Sequence, residues 1–134
     1  MPFGTATVVT NAGKAIIAKR LTGGASPSQV EPKFQGIGTG ATGAARTAAA
    51  ADTALSTEVE SRASTNNGST VTTSVTNDTY QCIQTTTASA PRSVDEAGLF
   101  DAAAAGNMFV SATFAVVSLA SGDSLQLTWK VQAA

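Results

Sequence analysis

The most suggestive spacing in the chain is Gly38-Thr39-Gly40-Ala41-Thr42-Gly43, a literal G-x-G-x-x-G. It follows a short strand candidate and precedes an alanine-rich segment, with Glu58 and Glu60 near the distance at which a dinucleotide fold places its ribose-binding acid. Such a site also needs a βαβ crossover and a parallel sheet to hold the rest of the cofactor. The sequel here is hairpin-like, so these residues are expected to form the glycine-rich loop of a structural protein, with no cofactor.

Other catalytic constellations fail on residue type. The chain has no histidine, which removes Ser-His-Asp and Cys-His nucleophiles and the usual zinc ligand sets. Calcium could use oxygen ligands from Asp78, Asp95, Glu96, Asp101 or Asp123, but these do not follow an EF-hand spacing and are expected to be turn or surface carboxylates. Asp95 and Glu96 are adjacent, and neighbours on a strand point to opposite faces, so they cannot serve one substrate together. A semi-buried member of the pair would be expected to meet Arg92 or Arg62. Cys82 is the single cysteine, so no internal disulfide forms; it shares a strand face with Tyr80 and is expected to be a buried, unreactive thiol. No catalytic, cofactor-binding or metal residue is therefore assigned, and the chain is not expected to be an enzyme.

The elements that would position any surface follow from periodicity. Thr5 to Val9 suits a short strand, Thr10-Asn11 a helix N-terminus, and Ala12 to Leu21 a helix with Ile17 and Leu21 one turn apart and Lys14, Lys19 and Arg20 on its solvated side. Gly23-Gly24 would stop it, and residues 25–32, with Pro27 and Pro32, would connect it onward. Lys33 to Ile37 predicts a strand, and Ala44 to Val59 a partly helical stretch with Asp52, Leu55 and Val59 on one face.

Beyond Arg62 the period becomes two. Val71, Thr73 and Val75 alternate with hydroxyls after a turn at Asn66-Asn67-Gly68, and a second turn at Thr76-Asn77-Asp78 leads into Tyr80 to Ala88, ended by Pro91. Met108, Val110, Ala112, Phe114 and Val116 share one parity, as do Leu125, Leu127, Trp129 and Val131. The Ala120-Ser121-Gly122-Asp123 turn predicts that these two runs pair as a hairpin, with Trp129 in the core. The expected fold is mainly β: an antiparallel β-sandwich or jelly-roll-like barrel with one short N-terminal helix. It is expected as a single domain over residues 1–134, with strand, helix and connector over 1–32 and a β-rich body over 33–134.

Composition bounds the partners. Charged residues make up 13% of the 134, against about 25% in a typical domain, while Thr, Ser, Gly and Ala abound. Interfaces tend to exclude Lys and Glu, so this surface favours repeated protein contact. A net charge of −1 argues against nucleic acid, which needs a basic face. No window has the length of a membrane span, and Met1-Pro2-Phe3-Gly4 lacks signal-peptide character, so synthesis and use in a cytoplasm are expected.

The run Val94-Asp95-Glu96-Ala97-Gly98-Leu99-Phe100-Asp101-Ala102, with Gly106-Asn107-Met108-Phe109 and Ser121-Gly122-Asp123-Ser124-Leu125, resembles small virion proteins of tailed bacteriophages. In that group an E-x-G-L-F-D-A…G-N-M strand and turn is followed by an S-G-D-S turn. Gly38-Thr39-Gly40 and Asp52 to Val59 are similar to the same group, and Thr10-Asn11-Ala12-Gly13 resembles the start of phage tail-collar fibre proteins.

The resemblance implies a virion structural protein made in the bacterial host cytoplasm. A capsid decoration (cement) protein is expected first, a tail, collar or fibre component second, and a receptor- or carbohydrate-binding module third. The expected partners are the major capsid protein or other virion proteins and further copies of the chain, a trimer being the favoured homo-oligomer. No nucleic acid, membrane or small-molecule substrate is expected. The Gly- and Ala-rich residues 36–59 are expected to supply contacts with neighbours.

Overall fold

The computed structural model describes residues 6–22, 30–41 and 47–133. Its elements in chain order are β1 (Ala6–Val9), α1 (Asn11–Leu21), β2 (Phe34–Thr39), β3 (Thr57–Ala63), β4 (Ser69–Val71), β5 (Thr79–Thr87), β6 (Arg92–Phe100), β7 (Met108–Leu119) and β8 (Ser124–Gln132). Every strand pairing is antiparallel, in a five-stranded sheet ordered β1-β7-β6-β2-β3 and a three-stranded sheet ordered β4-β5-β8. This is the mainly β, two-sheet sandwich with one short helix that the periodicity predicts.

The expected β7–β8 hairpin is not formed. β7 pairs with β1 and β6, and β8 pairs with β5 along its whole length, so the 120–123 turn carries the chain from one sheet to the other. The β5–β6 connection crosses beside it: Gly122 N–H donates to the Ala88 carbonyl and Ala88 N–H to the Asp123 carbonyl, both at 2.8 Å. Turn chemistry reverses a chain without specifying which sheet receives it.

One apolar cluster joins both sheets and the helix. Cys82 and Trp129 come from the small sheet, Ile37, Val94, Ala97, Leu99, Val110 and Ala112 from the large one, and Ile16 from α1. A second cluster, Leu55, Phe100 and Met108, is covered by Phe34. With both faces packed, β6 is buried continuously from Val94 to Phe100. β7 is likewise buried from Met108 to Thr113; a bulge then breaks its parity, since Val94 pairs with Val117 but Glu96 with Thr113, and Val116 ends up exposed.

Helix α1 begins where expected. The Thr10 hydroxyl accepts from Gly13 N–H at 3.0 Å and donates to the Met108 carbonyl, tying the N-cap to β7. Its buried face is Gly13 and Ile16, not Ile17 and Leu21, and Leu21 is 82% exposed. Glycine decides this: a Cβ at Gly13 would overlap the Phe109 carbonyl, so the helix docks through its backbone at that point. The Gly23-Gly24 stop lies outside the described residues, as does Pro27.

No helix occurs between residues 47 and 56. The chain there runs through turns, and Thr57 onward is strand β3, so Asp52, Leu55 and Val59 do not share a helical face. Small residues with weak internal packing yield to the tertiary context. The strand expected through Val75 also stops early: β4 ends at Val71, and Val75 lies in the exposed turn leading to β5. No helix of the described residues is long and apolar enough to cross a membrane.

Candidate functional site

The glycine motif does not make a nucleotide cradle. Gly38 and Thr39 belong to β2, which pairs antiparallel with both β3 and β6, and Thr42 and Gly43 lie outside the described residues. A Cβ at Gly38 would press on the Glu96 side chain and the Thr57 carbonyl, and one at Gly36 on Glu58 and the Phe100 ring. These glycines are strand positions over which larger groups close, a role that a loop reading misses.

Asp95 and Glu96 are both fully buried, and each accepts a hydrogen bond from the backbone. Asp95 Oδ1 accepts from Ala41 N–H at 3.1 Å, and Glu96 Oε1 from Thr57 N–H at 3.0 Å. The pair therefore grips the two ends of the excursion between β2 and β3. The expected arginine partners go elsewhere: Arg62 pairs with Glu58 and Arg92 with Glu60. Glu60 stands in the left-handed region at φ 64° inside a bulge, where four steps of β3 oppose two of β2. That kink aims its carboxylate at Ser89 N–H and Arg92 Nε, and the Arg92 and Ser89 hydrogen bonds hold its pKa below the ordinary value.

The remaining acids serve turns. Asp101 accepts from Asn107 N–H and Nδ2, closing a loop that passes through left-handed Ala105 and Gly106. Asp123 accepts from Ala120 N–H at 2.8 Å, and Asp52 from Ala49 N–H and the Ser111 hydroxyl. Among the described residues no group of three or more His, Cys, Asp or Glu is arranged to hold a metal. Glu96, Asp101, Gly106 and Asn107 thus close loops, while Gly98 lets Phe100 and Met108 lie against the strand.

Asp78 organises the β4–β5 turn. Its carboxylate accepts from the backbone N–H groups of Thr73, Ser74 and Val75, and from the Gln132 amide at 2.9 Å. The Val75 and Thr73 amides above all, then Ser74 and Gln132, hold its pKa well below the ordinary carboxylate range. Because the folded pKa is depressed, the contribution to stability is complete above the unfolded value of about 3.9 and disappears as pH falls through the folded value. The expected result is that Thr73, Ser74 and Val75 amide resonances stay in place through pH 3.9 and move only in stronger acid. An NMR pH titration checks this, and Asp78→Asn should abolish that acid transition.

Two buried amides escaped the sequence reading. Gln35 Oε1 accepts from Trp129 Nε1 and Gln35 Nε2 donates to the Thr86 hydroxyl, both at 2.9 Å. Gln84 Nε2 donates to the Lys33 and Asn66 carbonyls, joining the start of β2 to the approach to β4. The parity of Tyr80, Cys82, Gln84 and Thr86 on β5 was the available signal. Cys82 is buried, and burial pushes its thiol above the ordinary range, as expected of an inert cysteine. Tyr80 faces inward, its hydroxyl donating to the Pro32 carbonyl at 3.0 Å.

The chain's low charge shows on the outer face of the three-stranded sheet. Register places Gln81 opposite Lys130, Ile83 opposite Thr128, Thr85 opposite Gln126 and Thr87 opposite Ser124, so Lys130 is the one charge among these eight positions. The side chains are tied across the strands: the Thr87 and Ser124 hydroxyls are 2.8 Å apart, and Gln126 Nε2 donates to the Thr85 hydroxyl at 3.2 Å. Beside this face, between β8 and β7, opens a cleft of about 690 Å³ lined by Val110, Ala112, Phe114 and Val117 of β7 and by Leu125 and Leu127 of β8.

The 36–59 stretch is divided. Gly36, Ile37 and Gly38 lie within the buried part of β2, and Ala41, Ala48 and Leu55 are buried too, which removes them from any outward contact. Ala49, Ala51, Thr53, Ala54 and Ser56 are exposed. No family model, curated protein or solved structure matches this chain.

Proposed function

We propose that this chain is a structural protein of a tailed-bacteriophage particle, and specifically a capsid decoration protein that braces the shell through repeated protein–protein contacts. The observation that carries the reading is the outer face of β5 and β8: hydroxyl and amide side chains at six of eight paired positions, two of the pairs hydrogen-bonded across the strands, with Ile83 and a single charge, Lys130, at the others. Such a face loses little side-chain entropy on docking and leaves few charges to desolvate. Many copies on a symmetric shell turn a weak contact of this kind into firm attachment.

A tail or collar role is the second reading, favoured by Thr10-Asn11-Ala12-Gly13. A receptor- or carbohydrate-binding role is disfavoured because Trp129 and Tyr80 both point inward, leaving no aromatic platform from them.

The experiment is mass spectrometry of purified particles with copy-number measurement. Hundreds of copies per particle support decoration, a handful or a few tens support collar or fibre, and absence overturns the virion reading. Thr85 is exposed at the centre of the proposed face, so Thr85→Glu should leave the unfolding midpoint nearly unchanged yet lower incorporation roughly tenfold by placing a charge against the partner. Undiminished incorporation would move the docking surface elsewhere.

A further inference from the structure

Strand β8 ends its sheet: β5 lies on one side, and among the described residues no strand lies on the other. An open edge offers a row of backbone donors and acceptors to any second strand, and proteins usually blunt such edges with proline, bulges, short length or charged side chains, lysine above all. β8 uses none of these beyond a single lysine. It is nine residues long, pairs with β5 without a register shift, has no proline or glycine, and carries one charge, Lys130.

Its sequence, Ser-Leu-Gln-Leu-Thr-Trp-Lys-Val-Gln, also suits pairing with itself. In an antiparallel pair of two β8 strands that uses all nine residues, the two-fold axis passes through Thr128. Ser124 then faces Gln132, Gln126 faces Lys130 and Thr128 faces its own copy. On the inner side Leu125 faces Val131 and Leu127 faces Trp129. Polar side chains meet polar ones, apolar meet apolar, and the two lysines each lie opposite a neutral amide, so no like charges are juxtaposed. Leu125, Leu127 and Val131 are only half-buried in the single chain, and the partner strand would cover them.

We propose that β8 is a self-association edge, through which two copies join about a two-fold axis into a continuous six-stranded sheet. This goes beyond the virion reading and does not rest on it, because the contact forms in the purified protein without any particle. It replaces the trimer expected from the sequence with a dimer.

The test uses the charge of residue 128, which is exposed in the single chain, so its substitution leaves the interior alone. Sedimentation of the purified wild type should show a concentration-dependent dimer. Thr128→Glu and Thr128→Lys, each placing like charges on the axis, should weaken dimerisation roughly tenfold or more, and their equimolar mixture should restore it as a heterodimer. Circular dichroism and Trp129 emission should match the wild type in all three samples. A wild type that stays monomeric at high micromolar concentration, a trimer, or a dimer indifferent to both substitutions would overturn the proposal, whatever particle composition shows.

Discussion

Trp129→Ala is expected to destabilise the protein by about 3–5 kcal/mol, the usual range for emptying a buried aromatic site. The indole is 5% exposed and belongs to the cluster that joins the sheets. Its Nε1–H is bound by Gln35 Oε1 at 2.9 Å, and Gln35 is wholly buried, so truncation both opens a cavity and strands a carbonyl oxygen. An unsatisfied buried acceptor costs roughly 1–3 kcal/mol. Trp129→Phe separates the two effects, keeping much of the volume while removing the donor. Adding Gln35→Leu to Trp129→Phe should recover part of the loss, less the cost of freeing the Thr86 hydroxyl from Gln35 Nε2. Urea unfolding followed by circular dichroism measures all of these, since the variants lack the fluorophore. A loss under 1 kcal/mol for Trp129→Ala would show that the two sheets do not depend on this contact.

Trp129 was legible because β8 obeys one rule along its whole length: odd positions face in, even positions face out, and no bulge interrupts it. β5 alternates just as regularly from Tyr80 to Thr87, with its even positions facing in. Where the register shifts, in β3 around Glu60 and in β7 beyond Thr113, alternation carries the wrong face forward, which is how Val116 came to be grouped with Met108 and Val110. Pairing is harder still for β1 with β7, β2 with β6 and β5 with β8, whose partners lie far apart in sequence. β2 meets β6 some sixty residues on, guided by close approach at Gly36 and Gly38 rather than by apolar pattern. The helix face was misassigned for the same reason. Ile17 and Leu21 are the large apolar pair, yet the backbone at Gly13 sets the docking angle.

The buried carboxylates illustrate a different limit. Arg62 and Arg92 are two of the chain's arginines, and pairing them with the adjacent acids Asp95 and Glu96 is the economical expectation from sequence. The structure instead uses Asp95 and Glu96 as acceptors for Ala41 and Thr57 amides, which nothing in their local sequence announces. Backbone N–H groups carry no residue identity, so a carboxylate that satisfies one leaves no motif. The outer sheet face, by contrast, was foreshadowed by composition: a chain with few charges must show uncharged surface somewhere, and strand parity places much of it on β5 and β8.

Arg62 is expected to be the second most sensitive side chain, with Arg62→Ala costing about 2–3 kcal/mol, the range for losing hydrogen bonds to charged groups. Its side chain is 6% exposed. Nε and one terminal nitrogen donate to the two Glu58 oxygens at 2.6 and 3.0 Å, the other terminal nitrogen donates to the Ala102 and Ala105 carbonyls at 2.8 Å each, and the guanidinium carbon lies 3.5 Å from the Phe100 ring centroid. One planar fork thus joins β3, the face of β6 and the 101–107 loop. Partial exposure of Glu58 lets water take over some of the lost interaction, which keeps the cost below that of a fully buried pair. Arg62→Lys should recover less than half of the loss, because an ammonium retains the charge but cannot span carboxylate, carbonyls and ring at once. Glu58→Gln should cost less than Arg62→Ala, since the carbonyl and ring contacts survive it. Denaturant unfolding of the three variants gives the ranking, and hydrogen exchange gives the location: Arg62→Ala should raise exchange at Asp101 and Asn107, whose backbone amides close the loop on the Asn107 carbonyl and the Asp101 carboxylate. If Arg62→Lys proves as stable as the wild type, charge alone holds this junction and the fork geometry is incidental.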